Sequence, residues 1–120
     1  MSEPTLPTPE AAATVRTQLQ AVVPLLREAR HVDPDVRQAL ADLVDELIRL
    51  IDPNAPAAEA AHLAESSTLL AQALHRKHHT GLISTAKERL EEAATRAEAE
   101  APVATGLARR LIDTLANLGI

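Results

Sequence analysis

The apolar residues of this chain recur at alternating intervals of four and three, the spacing that lines one face of an α-helix. Val15, Leu19, Val22 and Leu26 form the first such stripe, and Val36, Leu40, Leu43, Leu47 and Leu50 form the second. Val44, Ile48 and Ile51 widen the second stripe into a core-facing band. Leu63, Leu70, Leu74, Ile83, Ala86, Leu90, Ala93 and Ala97 keep approximate heptad spacing through a third stretch. Val103, Leu107, Leu111, Leu115 and Leu118, flanked by Ala104, Ala108 and Ile112, define a last amphipathic helix. The pattern predicts an all-α protein in which antiparallel helical hairpins form a helix bundle or coiled-coil-like assembly.

Prolines and capping residues punctuate these stripes. Thr8-Pro9-Glu10 supplies a side-chain acceptor, a proline for the first helical position and an acid for the first turn, so a helix starts there and runs to about Arg30. Pro24 lies inside it and costs ~3 kcal/mol in a straight helix, which predicts either a bend or two short helices. Asp33-Pro34-Asp35 repeats the start signal after a connection of His31 and Val32, which implies a tight hairpin. Asp45 and Arg49 have the i,i+4 spacing of an ion pair.

These signals divide the chain into a disordered tail at 1–8, a helical hairpin at 9–52, a proline-rich hinge at 53–56 and a helical segment at 57–120. Strong helix formers fill 57–101, interrupted by Ser66-Ser67-Thr68 and by His79-Thr80-Gly81. One long helix or two fit that stretch, and a break at Thr80-Gly81 is the favoured reading, with glycine closing a helix end. At the far end Gly119 can supply a left-handed cap after the last helix.

Composition narrows the function classes. Hydrophobic residues make up 46% of 120, yet Phe, Tyr and Trp are absent, so Leu, Ile, Val and Ala must fill the core and self-association is a natural supplement. A net charge of −5 and the lack of stacking rings argue against nucleic acid. Without cysteine there is no thiolate chemistry or disulfide. No run approaches the ~20 apolar residues of a membrane span, and the N-terminus lacks a secretory pattern, so a cytoplasmic location is expected.

Candidate chemistry is sparse. His75 and His79 stand one helical turn apart and are the weak candidates for a metal or for a pH-responsive interface, histidine changing charge near pH ~6.5. Two imidazoles do not make a structural zinc site, and the cluster His75-Arg76-Lys77-His78-His79 reads first as a solvated basic patch. Glu88, Glu91, Glu92, Glu98 and Glu100 alternate with Lys87, Arg89 and Arg96 as a surface run, Glu92 and Arg96 in ion-pair order, rather than as catalytic carboxylates. Ser66-Ser67-Thr68 has no nearby base. Arg109 and Arg110 on the last helix suggest membrane-surface contact, but aromatic anchors are missing. The expectation is therefore no enzyme, no cofactor and no resident metal.

Residues 89–120, RLEEAATRAEAEAPVATGLARRLIDTLANLGI, resemble the end of the short bacterial proteins grouped as domain-of-unknown-function family 4404. The pieces that carry the likeness are Glu98-Ala99-Glu100-Ala101-Pro102 and the tail from Leu111 through Asn117, Leu118 and Gly119. Residues 14–52 look similar to that family's N-terminal half, residues 60–80 look like extra sequence, and Ala97 stands where an aromatic is expected. The resemblance implies short helical proteins and no assigned activity.

Three readings follow. The first is a non-enzymatic helical oligomerisation or scaffold protein, its stripes packing within and between copies. The second is a regulatory adaptor that docks a helix groove on another protein through Leu107, Leu111, Leu115 and Leu118. The third is a metal- or pH-responsive helical module built on His75 and His79.

Overall fold

A computed structural model of the chain describes residues 9–29, 31–51, 58–76 and 80–119, with side chains from residue 13 onward except at position 80. It contains five helices: α1 (Pro9–Glu28), α2 (Pro34–Leu50), α3 (Ala58–His75), α4 (Thr80–Ala97) and α5 (Pro102–Asn117). No strand occurs among the described residues. The expected tail at 1–8 and hinge at 53–56 lie outside them.

Helix α1 continues through Pro24, whose exposed ring leaves the stripe on the other side undisturbed. Val15, Leu19, Val22 and Leu26 are all buried. The helix stops at Glu28, two residues short of the expected end, and Ala29 and Val32 plug the hairpin bend, joined by a 3.0 Å backbone bond. Asp33 caps α2 as its sequence position predicts, its carboxylate accepting the Asp35 N–H at 2.8 Å.

Packing follows a ring. α1 lies against α2, α2 against α5, α5 against α4, α4 against α3, and α3 against α1, while α2 also reaches across to α3. The two helices with most neighbours are those with the broadest apolar surface. α2 buries Val36, Ala39, Leu40, Leu43, Val44 and Leu47, and α3 buries residues around most of its circumference. One core joins the hairpin to the rest, with Leu19, Leu40, Leu43, Leu47, Leu63, Leu70, Leu90, Leu111 and Leu115 fully enclosed. A radius of gyration of 13.7 Å places the chain with globular bundles rather than extended coiled-coil rods.

Ser67 and Thr68 do not interrupt α3. Both are buried, and their hydroxyls donate to the Leu63 and Ala64 carbonyls at 2.8 and 3.0 Å, which satisfies them inside the helix. The break between α3 and α4 does exist, but it falls earlier than Gly81. α3 closes with a 3.2 Å bond from the Arg76 N–H to the Ala73 carbonyl, and Gly81 sits in the first turn of α4. Glycine therefore does not end a helix there.

Small residues line the corner between α4 and α5. Ala97 and Ala104 are fully enclosed, Ala101 nearly so, and the Thr105 hydroxyl crosses to the Ala94 carbonyl at 3.3 Å. Side chains of this size let helices approach closely. Leu118 then caps α5, and Gly119 follows at φ +78, its N–H bonded to the Ala116 carbonyl at 3.0 Å, the left-handed ending expected for that glycine.

Candidate functional site

The expected α5 docking stripe is mostly consumed by the fold. Leu111 and Leu115 are fully buried in the chain's own core and Leu107 packs against it, leaving only Leu118 exposed. The arginines beside it are engaged as well: Arg109 pairs with Glu98 at 2.6 Å, and Arg110 reaches Asp42 of α2 at 3.5 Å. Those contacts tie α5 to its neighbours.

The histidine reading changes in a different way. His79 lies outside the described residues. His75 ends α3 half-buried, and its ring lies 6.5 Å from that of His31, edge-on at 63°. His31 came from the hairpin bend and carried no signal of its own in the sequence. Its Nε2 is 2.9 Å from the Leu74 carbonyl, so that nitrogen must carry the proton and donate. The pair therefore pins the α1–α2 bend onto the end of α3. Among the described residues no three His, Asp or Glu side chains gather as metal ligands.

The carboxylate run also resolves into structure. Glu92 pairs with Arg96 at 3.2 Å, in the expected order, and Glu100 accepts the Ala60 N–H at 3.0 Å. Arg49 pairs with Glu46 at 3.8 Å instead of with Asp45, because one turn back along the helix three residues serve as well as four.

What remains open is a groove along the outer side of the α3–α4 pair. Its half nearest the α3–α4 connection is lined by Leu69, Ala73, Leu82 and Ala86 with Arg76 and Arg89 on its rims. Its other half carries His62, Glu65, Ser66 and Glu92 with Arg96, and shares Leu69 and Arg89 with the first. Leu69 and Leu82 are 43% and 47% exposed, two of the four large apolar side chains left in solvent among the described residues, and the other two lie apart, Val103 on α5 and Leu118 at its C-cap. Arg76 and Arg89 have no ion-pair partner among the described residues. Sequence reasoning missed this groove because Leu69 and Leu82 fall outside the heptad stripes. Off-stripe leucines on adjacent helices were the available signal.

No helix among the described residues is long and apolar enough to cross a membrane. No curated protein and no solved structure matches the chain. The family described as a domain of unknown function, DUF4404, matches residues 52–120, which spans α3, α4 and α5. That range runs through residues 60–80 and leaves the α1–α2 hairpin outside it. With more than half of its length matched, the chain belongs to the DUF4404 family.

Proposed function

We propose that this protein is a non-enzymatic, cytoplasmic helical scaffold that works by self-association. One observation carries the reading: the long apolar stripes close on one another within a single chain, and two of the leucines left exposed, Leu69 and Leu82, meet in an open groove on α3 and α4. Isolated exposed leucines are ordinary, whereas two sharing a groove between rims of unpaired arginine form a contact surface. The carboxylates and histidines support the same reading, since those with described partners serve as caps, ion pairs and ties between helices.

Sedimentation equilibrium across a concentration series, read by refractive index because the chain has no aromatic side chain to absorb near 280 nm, tests it. The expected result is a molar mass that rises above the monomer value at tens of micromolar. A constant monomer mass overturns the proposal.

A further inference from the structure

We infer that the α3–α4 groove is covered by the same groove of a second copy, the two chains running antiparallel about a two-fold axis near Leu69 and Arg89. The inference rests on the self-association reading and adds the surface and its geometry. Leu69 and Arg89 line both halves of the groove and so mark its midpoint. Toward the α3–α4 connection lie Leu82 and the unpaired Arg76; toward the other end lie Glu65 and the Glu92–Arg96 pair. The face thus has a basic end and an end carrying its carboxylates.

A two-fold interface brings one patch against itself, so its charges must complement themselves. Two orientations are available to a pair of helical hairpins laid face to face. With the axis along the helices, each level meets itself, the end that carries Arg76 faces the same end of the second copy, and the two basic ends repel. With the axis across the helices, each end meets the opposite end. Arg76 then comes within side-chain reach of Glu65 of the second copy, twice per dimer, and Leu69 lies near its own counterpart at the centre. Arg89 falls near the axis, where its long stem lets the guanidinium turn toward Glu65 or Glu92 of the second copy. Charge selects the antiparallel arrangement.

The size of the face sets the strength. Helices of 18 residues are ~27 Å long at ~1.5 Å per residue, and two of them ~8–10 Å apart present roughly 500 Å². That lies below the ~800 Å² per partner of a standard stable interface, so the dimer should dissociate readily on dilution.

Single substitutions separate this inference from the reading it rests on. Leu69→Glu and Leu82→Glu are each expected to return the protein to a monomer at concentrations where the unaltered chain is dimeric. Val103→Glu, at a still more exposed apolar position on α5, should leave the dimer intact. Far-UV circular dichroism confirms that each variant keeps its helices. Arg76→Glu and Glu65→Arg should each weaken the dimer, and the double variant should restore it. The two positions, one on α3 and one just past its end, are eleven residues apart, too far to compensate within one chain. Since the chain has no cysteine, Leu69→Cys should also cross-link two copies on mild oxidation, and Val103→Cys should not.

An unaltered chain that stays monomeric defeats the self-association reading and this inference together, and leaves the groove for a different protein. A dimer indifferent to both leucine substitutions overturns the α3–α4 face alone. A dimer that Leu69→Glu breaks but the charge swap does not restore overturns the antiparallel arrangement.

Discussion

The Glu100 carboxylate accepts a hydrogen bond from the Ala60 N–H at 3.0 Å, so a residue in the α4–α5 turn caps the first turn of α3. The first N–H groups of a helix have no partner within it, and the helix dipole adds a preference for negative charge there. Glu100 satisfies both requirements across 40 residues of sequence. Glu100→Ala is therefore expected to destabilise the protein by ~0.5–2 kcal/mol, the usual cost of a lost N-cap. Glu100→Gln keeps an acceptor and loses the charge, so it should cost less than alanine. Urea denaturation of the three proteins checks that order, and equal stability of all three would refute the cap.

Much of the bundle was legible because its local signals agree with its packing. Val15, Leu19, Val22 and Leu26, and Val36 to Leu47 on alternating spacings, are the buried faces of α1 and α2, and Asp33 caps where its neighbours Pro34 and Asp35 predict. α3 was harder, since a helix buried on most sides shows little periodicity, and Ser67 and Thr68 looked like a break until their hydroxyls turned inward to the i−4 carbonyls. The ties that close the fold were not legible at all. His31 to Leu74 and Glu100 to Ala60 join residues 43 and 40 apart, and no local pattern encodes a hydrogen bond that tertiary packing alone creates. The groove was hidden for a related reason, because Leu69 and Leu82 become neighbours only once α3 and α4 pair.

Leu111 discriminates between a docking stripe and a core. Were it a contact for a partner, truncation would leave the isolated chain as stable as before. Fully enclosed in the core, it should instead behave as a buried leucine, and Leu111→Ala is expected to lose ~2–5 kcal/mol of unfolding free energy. Thermal unfolding followed at 222 nm measures the difference, and a change under ~0.5 kcal/mol, the range of ordinary surface substitutions, would return Leu111 to the interface.

Two glycines, one inside α5 and one just past its end, should respond in opposite directions. Gly106 is exposed inside α5, and a Cβ added there meets nothing within 4 Å, so Gly106→Ala should stabilise by ~0.5–1 kcal/mol through helix propensity and a less flexible unfolded chain. A Cβ at Gly119 also meets open space, but φ is +78 and an L side chain is strained there. Gly119→Ala should therefore lower stability by about 1 kcal/mol. Chemical denaturation of both variants checks the pair; a matching sign would mean that the left-handed ending contributes nothing.

Pro24, inside the continuous helix α1, offers a test of whether that helix requires a bend. Alanine at this position restores a backbone donor to the Gln20 carbonyl and removes the ring's crowding of it, a gain of ~3 kcal/mol in an ideal helix interior. Proline also restricts the unfolded chain, worth ~0.4–1 kcal/mol that alanine gives up. The difference predicts that Pro24→Ala stabilises the protein by about 2 kcal/mol, and the exposure of Pro24 means that no core contact is lost in the exchange. Leu19 and Leu26 lie on either side of it, both buried. If burying them together requires the bend that proline imposes, a straightened α1 will lift one from the core and cancel the gain. A variant no more stable than the unaltered chain in urea would show that the bend, and not merely the absence of a clash, is what α1 requires.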